Sequence, residues 1–348
     1  GNMAIPVSLV NAKTIYQSGS LRLNDILSEQ TGLMITDNFG KGIQLQGLSS
    51  EYTLILLDGE PLIGRTGGVL DLSRITIRNI RKIEIIKGPS SSLYGSEAMG
   101  GVINIITDRT GQNKSDASFR YGRFGTVDGA INFSRKFKQS DLQFSSNYNR
   151  SEGYSLKPFA LQKTVEPYWK TAQQINYNHA FTAHWKAGVG LRFNNTHIDN
   201  NISVQNLGNT IVSKGFEKNG EYNLTPYIQF QVDQKVKSVL RGYVTGFHAQ
   251  QQLDVKDVYG TYNDAFKQLF SRIEQQTDVH PTLHSTLTIG GGIIKEEVSS
   301  NRYDSLSTVR RNQIAYVFAQ NEQLIADRLT LIGGVRFDAN KAYASVLS

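Results

Sequence analysis

Hydrophobic and polar positions follow two different patterns along this chain, and the change falls near residue 110. Before it, apolar residues come in short blocks. Ile5–Val10 reads as a strand. Asn11-Ala12-Lys13 then leads into a helical segment, and Leu21–Leu27 continues with apolar spacing of three and four until Gly32 stops it. Leu33–Thr36 and Ile43–Leu48 read as strands. Tyr52–Leu57 is almost wholly apolar, as expected of a strand buried on both faces, and Asp58-Gly59 turns the chain after it. Ile80–Ile86 alternates basic and apolar residues up to the break at Lys87-Gly88-Pro89. Ser90-Ser91-Ser92 has helix-start chemistry, and Val102–Thr107 is a further buried-looking strand. The stretch Leu54–Thr107, with its helix-like middle, predicts a compact α/β unit.

From about Ser115 the period becomes two. Leu224, Ile228, Phe230 and Val232 alternate with Asn223, Thr225, Tyr227, Gln229 and Gln231, and similar runs recur to Phe337. This predicts roughly eleven strands of about 8–15 residues. Short turns near Gln139, Thr182, Asp233, Pro281 and Ala326 alternate with long polar loops at Ser155–Lys170, Asn200–Gly220, Val255–Asp264 and Ser299–Val309. Short turns on one side and long loops on the other are the layout of a transmembrane β-barrel. A soluble sandwich would also alternate, with shorter strands and the apolar face inward. Here the second face carries Gln, Asn, Thr, Arg and Gly, which suits a hydrated lumen. Tyr148, Phe181, Trp185 and Phe337, near strand ends, are candidates for interfacial girdles.

Composition narrows this further. The 348 residues leave room for one domain and part of a larger one. With 39% hydrophobic residues and a mean hydropathy of −0.34, no run approaches a spanning helix, whereas a barrel of alternating strands remains compatible. Cysteine is absent, which excludes disulfides and thiolate chemistry. The net charge of +7 is spread along the chain and forms no clustered stripe, so no nucleic-acid partner is expected. No GxSxG, Walker A or dinucleotide fingerprint occurs, and neither an enzyme activity nor a cofactor is expected. His179 with His184, and His280 with His284, flank short turns without a third ligand, and no metal site is expected there.

The ordered segments IPVSL, LRLNDILSEQTG, LILLDGEPL, DLSRI and IEIIKGPSSSLYGSEAMGGVINIIT resemble the plug domain of TonB-dependent outer-membrane receptors. YVFAQNEQLIADRLTLIGGVRFD resembles barrel strands of the same family, in its cobalamin and siderophore branch. The resemblance implies an α+β plug domain over residues 1–110, followed by antiparallel transmembrane β-barrel strands over residues 111–348. These are about half of a 22-stranded barrel, so the barrel is expected to continue past Ser348. The implied function is active uptake of a scarce metal chelate across the outer membrane of a Gram-negative bacterium, a ferric siderophore first, with cobalamin or haem as alternatives. The implied partners are TonB, through a Ton box expected before Ile5 and not visible there, the chelate itself, and outer-membrane lipid. A passive porin-like or adhesion barrel, or a soluble β-rich binding module, is the reading from a different class, and the N-terminal α/β domain argues against a porin.

The resemblance also implies site residues. The outward plug loops map to Thr36–Gly42 and Leu62–Gly68, offering Asp37, Asn38, Phe39, Lys41 and Arg65 to a ligand, with Tyr168, Trp169 and Tyr259 added from extracellular loops. Arg–Glu pairs that lock plug to barrel in some members map to Gln46 and Lys87 on the plug and to Glu297 and Glu322 on the barrel. Gln46 has lost the charge and Lys87 lacks the bidentate fork of arginine. The surviving expectation is that Lys87 pairs with Glu297 or Glu322.

Overall fold

The computed structural model describes residues 7–18, 23–36, 41–66, 69–72, 75, 80–88, 98–108, 113–157, 163–206, 209–233, 235–255, 260–282, 284–302, 309–326, 328–341 and 344–347. The N-terminal unit opens with β1 (Val7–Asn11), α1 (Ala12–Gln17), α2 (Leu23–Ser28), β2 (Leu33–Thr36) and β3 (Gly42–Leu45). It continues with β4 (Thr53–Leu57), β5 (Glu60–Pro61), β6 (Arg65–Thr66), β7 (Val69–Leu70), β8 (Ile80–Lys87) and β9 (Gly101–Thr107). Asn11 starts α1 because its side-chain Oδ1 accepts the Thr14 amide at 3.0 Å, satisfying one of the free N–H groups of the first turn. Five strands form one sheet in the order β1-β8-β9-β4-β5, with β4 and β9 parallel. The apolar runs read from the sequence meet here: Leu23, Ile26 and Leu27 of α2 pack with Ile55, Ile83, Ile85, Ile103 and Ile105 in one buried cluster.

The remainder is a meander. It comprises β10 (Lys114–Gly122), β11 (Thr126–Lys136), β12 (Ser140–Ser151), β13 (Tyr168–Ala180), β14 (Trp185–Asp199), β15 (Ile202–Asn206) and β16 (Asn209–Val232). β17 (Val236–Val255), β18 (Gly260–Thr282), β19 (Ser285–Ser300), β20 (Val309–Ile325), β21 (Leu329–Asn340) and β22 (Val346–Leu347) complete it. Every neighbouring pair is antiparallel; β15 is a side hairpin on β16, and the eleven longer strands carry the sheet. Two of the loops expected from polarity are strand in part: β16 and β18 run to 24 and 23 residues and take in residues 209–220 of Asn200–Gly220 and 260–264 of Val255–Asp264. Polar composition misled there because a strand end that is wet on both faces has the polarity of a loop.

Side-chain direction follows from register. Arg272 and Glu274 on β18 are nearly buried and face the N-terminal unit, while Ile273 between them and Leu269 before them are exposed on the opposite face. Along β16, Tyr222, Leu224, Pro226, Ile228, Phe230 and Val232 share the outer face, whereas buried Glu221 and Asn223 share the inner one. The polar face is thus turned inward, the inverse of a soluble sandwich. Tyr148, Phe181, Trp185 and Phe337 are all exposed, with Trp185 against Phe230 at 4.7 Å.

Ile103 lies at the centre of the N-terminal sheet and is fully buried. Ile103→Ala is expected to destabilise that unit by about 2–5 kcal/mol, read as a lower urea midpoint with the barrel sheet intact by circular dichroism.

Candidate functional site at the plug–wall interface

The hairpin between β4 and β5 positions the site. Asp58 and Gly59 both adopt positive φ, 54° and 85°, the conformation of a tight two-residue turn that suits Asp-Gly. The Asp58 carboxylate anchors the turn by accepting the Thr107 amide at 2.8 Å and the Thr107 hydroxyl, and Asn104 Oδ1 accepts the Gly59 amide at 3.1 Å. Held this way, the hairpin carries Glu60 against the inner face of the barrel sheet.

Glu60 Oε2 meets Arg272 Nη2 of β18 at 2.5 Å, and both side chains are nearly buried. Arg272 also approaches Glu274 at 3.8 Å, as does Arg241 from β17, and the Tyr316 hydroxyl donates to Glu274. Arg336 lies over the Tyr316 ring at 4.0 Å, closing a chain of charge and aromatic contacts from β17 to β21. Beside the ion pair, Tyr243 donates its hydroxyl to the Pro61 carbonyl at 2.8 Å. One turn further, the Gly64 amide donates to Gln268 Oε1 at 2.8 Å. Gly64 has φ 86°, and a Cβ there would lie 2.5 Å from the Phe247 ring, so plug backbone and barrel aromatic touch directly. Burial pushes the Glu60 carboxyl above the usual carboxylate range, and the positive charges of Arg272 and Arg241 pull against that shift.

Next to the pair, a cavity of about 160 Å³ separates the hairpin from β14, β16 and β17, lined by Asp58, Glu60, Asn176, Arg192, Asn223 and Arg241 among others. The lining suits water, of which this volume holds about five molecules.

The expected site residues fare differently. Asp37, Asn38 and Phe39 lie outside the described residues, as does Tyr259. Lys41 is described, and its amide donates to Asp71 at 3.0 Å. The Arg65 guanidinium donates to the carbonyls of Ser50 at 2.8 Å and Thr53 at 2.9 Å, so it braces the plug's own backbone. Tyr168 and Trp169 are adjacent on β13 and therefore point to opposite faces. Tyr168 pairs with Ile198 on the inner face, while Trp169 is exposed beside His197 on the outer face, away from any lumenal ligand.

The expected Lys87 lock does not form. Among the described residues no ion pair joins Lys87 to Glu297 or Glu322; its ammonium lies against Gly32 of the plug. Glu297 pairs in register with Leu269, which puts it on the outer face, where it binds Arg311 at 2.7 Å. Glu322 faces inward near the short-turn end, in register with Thr286. Gln46 sits exposed in a turn with φ 54°. The ion pair present instead has reversed polarity, with the acid on the plug and the arginine on the wall. Glu60 follows the Asp58-Gly59 turn directly, a position from which a hairpin must project it outward, but nothing local in the sequence identified Arg272 as its partner. The ring nitrogens of the histidines are engaged with Ser140 for His179, the Gln231 carbonyl for His184 and Thr286 for His280.

Residues 2–102 match the TonB-dependent receptor plug domain, and residues 103–347 match the TonB-dependent receptor-like β-barrel. The chain belongs to the TonB-dependent receptor family. This is a family of receptors and transporters, not of enzymes, whose members are outer-membrane β-barrels. Among curated proteins it is similar to the vitamin B12 transporter BtuB of Vibrio cholerae, at 25% identity over 97% of this chain and 55% of that protein. Among solved structures it superposes on the ferric yersiniabactin uptake receptor FyuA from Yersinia pestis with a TM-score of 0.77 at 15% identity, covering 97% of this chain and 56% of the other. The siderophore receptor PirA from Acinetobacter baumannii gives 0.75 at 17% identity, with 98% and 57% covered. The chain therefore spans little more than half the length of these relatives.

Arg272→Met would strand the Glu60 carboxylate in a nearly dry site and is expected to cost about 3–5 kcal/mol of plug stability, whereas the double change Glu60→Gln with Arg272→Met should cost much less; urea titration of wild type, the two single variants and the double variant measures both. In Arg272→Gln the folded-state carboxyl pKa rises further above its unfolded value of about 4.3. The folded state then binds the extra proton, so the variant's deficit against wild type should shrink as pH falls from 8 to 5. A deficit that stays constant would contradict the assignment.

Proposed function

We propose that this chain is the plug and adjoining barrel wall of an outer-membrane active transporter that takes up a scarce metal chelate, most specifically a ferric siderophore, under energy supplied through TonB. The observation that carries this reading is a folded α/β unit pinned by a buried ion pair to the polar face of a β-sheet whose other face is apolar. A passive porin or adhesion barrel has no use for such a unit against its inner wall. A soluble module would expose the β16 run from Tyr222 to Val232 to water. The siderophore receptors among the fold neighbours support the substrate class, and the vitamin B12 transporter relative supports cobalamin as the second reading.

Lys41, with Asp37, Asn38 and Phe39, is proposed as the plug part of the ligand floor. Tyr168 and Lys170, with the Lys170 ammonium 5.5 Å from the Tyr168 ring, are proposed as a barrel contribution from the long-loop end. Cations beside an aromatic face suit an anionic chelate. Arg65 is left out because its donors are committed to plug carbonyls.

Equilibrium titration of the purified full-length protein with ferric siderophores, cobalamin and haem tests the assignment. Trp169 and Trp185 both face outward, so intrinsic tryptophan fluorescence is a poor readout and calorimetry is preferred. Submicromolar binding of a ferric siderophore, weakened about tenfold or more by Lys41→Gln with Lys170→Gln, is expected. Tight cobalamin binding with no siderophore response would overturn the leading substrate. Uptake by cells should stop when the proton gradient is collapsed, and persistence of uptake would overturn the active-transport reading.

A further inference from the structure

The outer face of the barrel sheet carries a level row of cations just above its apolar belt. On β16 the outward residues from Val232 up to Tyr222 are all apolar, and the next outward side chains are Gly220 and Lys218. Lys218 stands fourteen residues from the short-turn end of its strand at Val232. Lys267 stands fifteen from Thr282 on β18, and Arg311 fourteen from Ile325 on β20. Register confirms the shared face: Lys218 pairs with Gln250, Lys267 with His248, and Arg311 with the outward Glu297. Fourteen residues at about 3.4 Å each, on a strand tilted by about 40°, rise roughly 35 Å. An apolar belt is only about 25 Å tall, so all three cations clear it on the same side.

A second feature marks that level independently. Outward-facing Trp169, His197 and Phe216 from β13, β14 and β16 stack with ring centroids 5.9 and 5.8 Å apart, and the Lys218 ammonium lies 4.5 Å from the Phe216 ring. An aromatic cluster on the lipid side of a barrel belongs at the headgroup depth. Lys218, Lys267 and Arg311 are exposed. Arg311 is matched by Glu297, but among the described residues neither Lys218 nor Lys267 forms an ion pair. Two unmatched ammonium groups on alternate strands, at headgroup depth and beside an aromatic platform, have one complementary occupant in a membrane, a phosphate carried on a lipid.

We propose that Lys218 and Lys267, with the Trp169–His197–Phe216 stack beside Lys218, form a binding site for the phosphate groups of outer-leaflet lipid, holding an annular lipid against β16–β18. The site rests on the membrane reading above and is independent of what is transported. Its assay requires no transport, so failure of one leaves the other standing.

The test is native mass spectrometry of the detergent-purified full-length protein with bis-phosphorylated lipid A, its dephosphorylated counterpart, and millimolar inorganic phosphate as competitor. Each ammonium near such a headgroup contributes about fivefold. Lys218→Gln with Lys267→Gln should therefore weaken lipid A retention about twentyfold, Lys218→Arg with Lys267→Arg should restore it, and the dephosphorylated lipid should bind the wild type as weakly as the Gln variant binds lipid A. Lys138→Gln with Lys235→Gln, at exposed turns on the opposite rim, should change nothing. Retention within twofold of wild type in the first variant would overturn the proposal. So would equal loss in the opposite-rim variant, equal binding of the dephosphorylated lipid, or displacement by inorganic phosphate.

Discussion

Two-residue alternation in a hydrogen-bonded sheet is the constraint on which the rest of this molecule depends. A strand crossing hydrocarbon must pair all its backbone groups with neighbours, so its side chains divide strictly between the lipid face and the lumen face. On β18 that rule separates Leu269 and Ile273 from Gln268, Arg272 and Glu274 although they are neighbours in sequence. The lumen face gains a row of polar groups that no apolar core can satisfy. The plug satisfies some of them, presenting Glu60, the Pro61 carbonyl and the Gly64 amide to Arg272, Tyr243 and Gln268, while others such as Arg192 with Glu221 pair within the wall.

The Glu60–Arg272 contact has the energetics of a latch more than of a rivet. Burying two charges costs several kcal/mol each, and their attraction repays that only while both are present and well aligned. Such a pair adds little net stability, yet it strongly disfavours any arrangement in which one partner is buried alone. A plug displaced by a short distance loses the pair, and water from the adjoining cavity can then solvate both ends. For the transport role proposed above, this property suits a plug that stays seated at rest and shifts under force.

The outer face follows the same logic from the other side. Once lipid occupies it, apolar residues are confined to a belt, and any cation on that face must sit at the headgroup level or pair with an acid. Lys218 and Lys267 take the first course and Arg311 takes the second. Glu297, on sequence position alone a partner for the plug, is excluded from that role because one residue of register turns it to the lipid side.

The sequence by itself determined the architecture: a compact α/β unit from the apolar blocks around Leu54–Thr107, and a long meander from the period-two pattern beyond Ser115. Both are local signals, carried within a window of a few residues, and so is the Asp58-Gly59 turn that aims Glu60. Only the tertiary structure decided which charges meet. Arg272 lies 212 residues from Glu60 in the chain, and their contact depends on sheet register and on how the plug is seated. Tertiary packing likewise decided that Arg65 braces the plug, and register decided that Trp169 lies on the outer face and that polar stretches such as residues 209–220 are strand. A polar residue beside water reads the same in a loop as on a strand, so pattern alone had no means of separating them.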